Sequence, residues 1–310
     1  MPNSPLDLEL AAVLARFTSD SPTDTGPLTV ESIRASSDLA VRTFGALAPV
    51  FPQVERREFT MIADDGVPVR LVWFSSTEAE TTGSAVVHAH GGGLVSGSVD
   101  LFAPFVSRYV ARSGVPFLSV EYRLVPEVSG DRPVRDVFNA LTWLHEHACE
   151  LGVDPQRIGV FGESAGGTLA AGTAILAREH AVPLQKQILV YPMLDDRTGP
   201  NPPIAPYASW SHAGNEVVWD AVLGSGARSA PVVPGRLVDA SGLASAYIDV
   251  GTLDLFCGES IAYAEVLKAA GVEVELQVYD GVMHGFDQVA PDIEVSRRAF
   301  ANRVRVLSAL

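Results

Sequence analysis

The chain has 310 residues, about two domains by the ~150-residue prior, although α/β folds of this size often form one domain around one sheet. With 47% hydrophobic and 19% charged residues it carries too much apolar surface for a disordered chain and enough charge for a soluble one. Its 37 acidic residues against 22 basic ones, a net charge of −15, would repel phosphate, which makes nucleic acid and anionic membrane surfaces poor candidates as partners.

In chain order, residues 1–48 hold two amphipathic stretches, Leu6–Phe17 and Thr29–Leu47, joined by a Ser/Pro/Thr/Asp-rich link at Ser19–Pro27. From Val54 onward, β-branched or aromatic runs alternate with helical ones. The spacing predicts eight strands: Val54–Ile62, Val67–Phe74, Ala85–Ala89, Val115–Tyr122, Arg157–Phe161, Gln187–Tyr191, Ala246–Val250 and Val272–Tyr279. The first two, bridged by Asp64-Asp65-Gly66, read as an antiparallel hairpin. The other six are separated by helical periodicity, as in the stripe Val134, Val137, Phe138, Leu141, Leu144 and Ala148, so the sheet is expected to be mostly parallel with right-handed crossovers. Ligands then bind outside the carboxyl ends of the strands. Residues 195–240 are irregular, with a helical piece near Trp210–Leu223. Tyr207, Trp210 and Trp219 within them favour a lid over the strand ends.

The chemistry is expected just after the strands. The fifth is followed by Gly162-Glu163-Ser164-Ala165-Gly166-Gly167 and an Ala-rich helical run. Alone, GxSxG is an ordinary turn with an incidental serine; between strand and helix it is the context of a nucleophile elbow, which projects the Ser164 hydroxyl clear of the sheet. The third strand is followed by His90-Gly91-Gly92-Gly93. Acyl transfer builds negative charge on a carbonyl oxygen, which pre-aimed backbone N–H groups stabilise, so Gly92, Gly93 and Ala165 are assigned to an oxyanion hole. A serine needs a base, and the base an acid to hold its tautomer. Of seven histidines only His284 lies in a loop after the final strand; His88 and His90 are in or beside a strand, His145 and His147 on a helix, His180 and His212 in linker or lid. Asp254 follows the seventh strand, whereas Asp249, Asp280 and Glu259 have plausible structural places, Glu259 at a helix start where a carboxylate favours the dipole. The order Ser164, Asp254, His284 is that of α/β-hydrolases.

These pieces, together with Glu121-Tyr122-Arg123-Leu124-Val125-Pro126-Glu127, Tyr191-Pro192-Met193 and His284-Gly285-Phe286, resemble the bacterial hormone-sensitive-lipase-like carboxylesterases of the α/β-hydrolase superfamily over roughly residues 54–310. The resemblance implies an eight-stranded sheet flanked by helices, with residues 49–310 as catalytic domain and a helical cap built from 1–48 and the insertion 195–240. It implies Ser164 as nucleophile, His284 as base, Asp254 as acid, and Gly92, Gly93 and Ala165 as oxyanion donors, with His90, Gly91 and Glu163 in support. Glu163 stands where the family often has Asp bracing the glycine loop, and is expected to brace it with a longer reach. Val128–Pro133 and Leu255–Gly258 depart from the family's usual runs. Both can border the pocket, for which Leu94, Tyr191, Trp210, Trp219 and Phe286 are the candidate lining.

The expected function is hydrolysis of esters with short to medium acyl groups through an acyl-enzyme, with lactones and amides as alternative substrates of the same triad and a non-catalytic binder as the rival on the same fold. No cofactor or metal is needed. A metal hydrolase would use His88 and His90, two positions apart on one strand face, but lacks a matching ligand set. A phosphate loop fails because Ser98 stands where Lys is required. The expected partner is a small-molecule ester, with no nucleic acid and no membrane, and a homodimer is left open. No apolar run reaches the ~20 residues of a membrane span, Met1–Pro5 has no basic leader region, and Cys149 and Cys257 make no disulfide framework, so a cytoplasmic setting is expected.

Overall fold

In the computed structural model, eight strands form one sheet in the order β1-β2-β4-β3-β5-β6-β7-β8. They are β1 Val54–Ile62, β2 Pro68–Ser76, β3 Ala85–Ala89, β4 Phe117–Val120, β5 Ile158–Glu163, β6 Lys186–Val190, β7 Ser245–Gly251 and β8 Val274–Tyr279. The hairpin β1–β2 is antiparallel and β2 meets β4 antiparallel; every pairing from β4 to β8 is parallel. The helices are α1 Leu8–Leu14, α2 Val30–Leu47, α3 Val99–Ser113, α4 Arg132–Glu146, α5 Ala148–Leu151, α6 Ala165–Glu179, α7 His212–Leu223, α8 Cys257–Ala269, α9 Phe286–Val289 and α10 Glu294–Ser308. The structure describes residues 6–16, 28–79, 83–201, 203–226 and 228–310. Met1–Pro5, Phe17 and the Ser19–Pro27 link lie outside them.

Alternation along the strands feeds two cores, one on each face of the sheet. Val87, Ala246 and Ile248 point to the face covered by Val134, Leu141, Leu169, Ile175 and Tyr263 of α4, α6 and α8. Val86, Ile188 and Tyr247 point to the other, covered by Val106, Val110, Val306 and Leu307 of α3 and α10. Helix α6 is buried all round from Ala165 to Ala177, which explains its Ala/Gly composition: a Cβ on Gly172 would meet the Pro231 carbonyl oxygen at 2.5 Å. Strand β5 extends two residues past the predicted Phe161, because Gly162 and Glu163 continue the parallel ladder opposite Leu189 and Val190. Tertiary pairing there overrides glycine's weak strand preference. Strand β4 is shorter than predicted, the chain leaving the sheet so that Tyr122 can bond to the backbone of His90.

Two long-range devices fix the far end of the sheet. Buried Arg303 on α10 holds Asp249 of β7 with two hydrogen bonds, at 2.6 and 3.0 Å, and also bonds Asp287 of α9 and the Tyr109 hydroxyl. Helix α1 tucks Leu10 into the second core, its Asp7 N–H donating to the Gly281 carbonyl and its Glu9 carboxylate accepting from the N–H of Glu294. Among the described residues no helix is long and apolar enough to cross a membrane.

Candidate active site

Ser164 occupies the single residue between β5 and α6 with φ 58° and ψ −122°, a backbone conformation that L residues rarely adopt. The turn closes only because its neighbours lack side chains: a Cβ on Gly162 would stand 2.0 Å from the Gly166 oxygen, and one on Gly166 2.0 Å from that of Ala89. The Ser164 N–H donates to the Val190 carbonyl, and its own carbonyl accepts from Gly167 and Met193, so the elbow is held on three sides.

The loops after β7 and β8 are fastened to each other. Leu253 N–H donates to the Val282 carbonyl, the Thr252 hydroxyl donates to Asp280 and accepts from Gly281 N–H, and a Cβ on Gly251 would meet the Val282 oxygen at 2.1 Å. This fastening brings Asp254 to His284. His284 Nδ1 lies 2.8 Å from Asp254 Oδ2, and its Nε2 lies 2.8 Å from Ser164 Oγ. A carboxylate is acceptor-only, so Nδ1–H donates to it and Nε2 is left to accept the serine hydroxyl. Asp254 is almost fully buried, and its other oxygen accepts from Phe256 N–H at 2.9 Å. The edges of Tyr191 and Phe256 meet the imidazole with ring centroids at 4.8 and 5.0 Å, which fixes its plane.

Gly92 and Gly93 have φ of 119° and 62°, and a Cβ on Gly92 would stand 2.3 Å from the Ser96 carbonyl oxygen. The N–H groups of Gly92, Gly93 and Ala165 have no protein acceptor among the described residues. Gly92 and Gly93, with Gly91, frame one wall of a cavity of about 170 Å³ that also reaches Ser164 and His284. The rest of the lining is largely apolar, with Val41 and Phe44 of α2, Trp210, Tyr191 and Val289. Of the five candidate pocket residues, Tyr191 and Trp210 face this cavity. Leu94, Trp219 and Phe286 do not: all three are buried in the cores, Leu94 and Phe286 turning inward beside catalytic groups and Trp219 lying on the buried side of α7. Helix α1, expected over the pocket, contributes nothing to its lining.

One expectation about a supporting residue is corrected by the geometry. Glu163 does not bond the glycine loop; its carboxylate meets His88 Nε2 at 3.1 and 3.3 Å, and His88 Nδ1 meets the Ser119 hydroxyl at 2.9 Å. The loop is braced instead by Tyr122, whose hydroxyl donates to the His90 carbonyl at 2.8 Å and whose ring stacks on that imidazole at 4.3 Å. Glu259 does start α8 but spends its carboxylate on the Leu194 N–H and the Thr198 hydroxyl, and burial pushes its carboxyl up to about 8. Both nitrogens of His88 are occupied. His90 is pushed down to about 3 by burial, against its hydrogen bond with the Gly91 carbonyl. No cluster of three or more ligating side chains occurs among the described residues.

Sequence reasoning missed the anchors of α2 and the wall residue Gln288. Arg34 donates to the Val95 and Val125 carbonyls and pairs bidentately with Glu127. Gln288 of α9, four residues beyond His284 in the loop before that helix, donates to the Tyr191 hydroxyl at 3.3 Å. Its place four residues after the base was the available signal.

The family described as the alpha/beta hydrolase fold matches residues 86–288. The chain belongs to that family, within its hormone-sensitive-lipase-like branch. It is 32% identical over 281 residues to carboxylesterase NlhH of Mycobacterium tuberculosis, covering 84% of this chain and 85% of that one. It is 31% identical to the ethyl acetate hydrolase of Pseudomonas putida, covering 76% and 77%. Among solved structures, a bacterial heroin esterase superposes with a TM-score of 0.85 at 32% identity over 98% of each chain.

Proposed function

We propose that this α/β-hydrolase is a carboxylesterase acting through Ser164, His284 and Asp254 on short to medium acyl esters. The observation that carries the reading is the unbroken chain from Ser164 Oγ to His284 Nε2 and from His284 Nδ1 to Asp254 Oδ2, each link 2.8 Å, beside three uncommitted backbone amides. Ester hydrolysis is also what the printed names of its relatives describe.

Ser164 Oγ attacks the ester carbonyl carbon while His284 Nε2 takes its proton. The carbonyl oxygen gains charge toward the N–H groups of Gly92, Gly93 and Ala165, which are already oriented and so add stabilisation without reorganisation. Asp254 keeps the proton on Nδ1 and stabilises the imidazolium. His284 then gives the proton to the departing alkoxide, releasing the alcohol. Water, deprotonated by the same imidazole, attacks the acyl-enzyme and restores Ser164. No step requires a metal or an organic cofactor.

Cap roles for α2 and the 195–240 insertion belong to the same reading. Helix α2 supplies Val41 and Phe44 to the cavity, and Ser209 of the insertion donates to the His284 carbonyl at 2.6 Å. A cytoplasmic setting is supported by the two free thiols, Cys149 and Cys257. A homodimer would have the unpaired edge of β8 to build on, and sedimentation tests it. The deciding experiment is a panel of p-nitrophenyl esters, lactones and anilides with Ser164→Ala as control. Serine-dependent turnover of the esters supports the reading; serine-dependent turnover confined to lactones or anilides replaces it.

A further inference from the structure

Three cavities meet at one side chain. The catalytic cavity of about 170 Å³ shares Glu163, Tyr191 and Gln288 with a chamber of about 30 Å³, and shares Phe44, Val289 and Gln288 with another of about 60 Å³ beneath the end of α2. The two chambers share Phe105, Arg108, Asp287 and Gln288 with each other. Gln288 is thus the residue common to all three, and both chambers are more enclosed than the catalytic cavity. Its position is fixed: its N–H donates to the Gly285 carbonyl at 3.1 Å, and its side-chain amide donates to Tyr191, which is itself buried.

We propose that Gln288 is the residue that sets acyl length, a wall closing the catalytic cavity from the chambers behind it. The inference rests on the esterase reading above. The acyl arm is the one concerned, because it stays bonded to Ser164 after the alcohol departs and can occupy an enclosed end, whereas the alcohol needs an open way out. The space behind is lined on the α2 side by Phe44, Leu47 and Pro49 and on the α3 side by Pro104 and Phe105, which suits methylenes. Each further methylene buried there corresponds to about a fourfold gain in relative rate, from ~0.8 kcal/mol per CH₂. The wild-type wall denies that gain to chains that reach Gln288.

The test compares kcat/KM for p-nitrophenyl butanoate and octanoate in the wild type, Gln288→Ala, Gln288→Met and Phe44→Ala. The ratio is internal to each protein, so a smaller active fraction cancels. Gln288→Ala should raise the octanoate-to-butanoate ratio by about 15-fold, the gain from the last two of the four methylenes by which octanoate exceeds butanoate. Gln288→Met, equally long, should keep the wild-type ratio. Phe44→Ala opens the same partition from α2 and should move the ratio in the same direction, even if Gln288→Ala folds poorly. A parallel series of alkyl acetates should not respond. An unchanged ratio in both alanine variants overturns the wall, as does a Met variant that behaves like Ala. A shift in the acetate series instead overturns the assignment of the acyl arm. Hydrolysis that survives Ser164→Ala would instead strike the esterase reading itself and carry this inference with it.

Discussion

Asp38 on α2 accepts a 2.8 Å hydrogen bond from the backbone N–H of Gly97, where the glycine-rich segment turns into α3. One helical turn away, Arg34 reaches the carbonyls of Val95 and Val125. The helix that lines the cavity is therefore pinned to the segment that carries the proposed oxyanion donors, so substrate contact and oxyanion geometry are mechanically linked. Arg34→Ala removes two charge-assisted bonds to backbone carbonyls. We expect KM for a short ester to rise by about tenfold, with a smaller fall in kcat, in steady-state assays. The bidentate pair with Glu127 holds that carboxyl at about 2, but it is solvent-exposed and should contribute little to stability.

Ser164→Ala and His284→Ala should each lower kcat by on the order of 10⁶, because triad members act as a unit. Asp254→Asn leaves Nδ1 facing an amide and should cost about 10⁴ through the wrong tautomer. Near-wild-type turnover by purified Ser164→Ala would refute the assignment.

Gly92→Ala should affect activity and stability together. The added Cβ would sit 2.3 Å from a backbone oxygen at φ 119°, so the loop itself must move. Misaligning one donor costs ~3–4 kcal/mol in the transition state, and a lower melting temperature should accompany the fall in kcat. Loss of activity at an unchanged melting temperature would show that the loop tolerates the methyl group and that substrate alone is blocked.

Glu259 predicts a pH dependence of stability. Burial raises its folded value to about 8, above the ordinary 4.5, against the bonds it accepts from Thr198 and Leu194. The folded state then binds a proton that the unfolded state has lost, so its contribution is complete below about pH 4.5 and is lost as pH rises toward 8, by at most ~1.4 kcal/mol per unit. Glu259→Gln, which mimics the protonated form, should flatten the fall in melting temperature between pH 6 and 9. An identical pH slope in the two proteins would refute this.

Arg303→Met removes the counter-ion of buried Asp249. Breaking a fully buried pair from one side typically costs ~3–5 kcal/mol, read as a lower urea midpoint. Because Arg303 also holds Asp287, three residues beyond His284, activity should fall further than the folded fraction explains.

The sheet, the elbow serine, and the acid and base loops were legible in the sequence because each depends on local periodicity plus position after a strand. Strand alternation and the Ser164, Asp254, His284 order survive any reasonable packing of the helices. The partner of a polar side chain was not legible. Glu163 lies next to the nucleophile in sequence, yet its carboxylate meets His88 on the neighbouring strand. Glu259 lies at a helix start, yet serves the loop after β6.

The sequence by itself determined which backbone turns are possible and in what order chemical groups arrive at the strand ends, since glycines, β-branched runs and helical stripes act over a few residues. Tertiary structure alone decided which side chains face the cavity. Leu94, Trp219 and Phe286 turned into the cores, while Val41, Phe44 and Gln288 came to the cavity wall. That choice depends on the packing of elements far apart in the chain, where burial of apolar area is non-directional and leaves no periodic trace at any one residue.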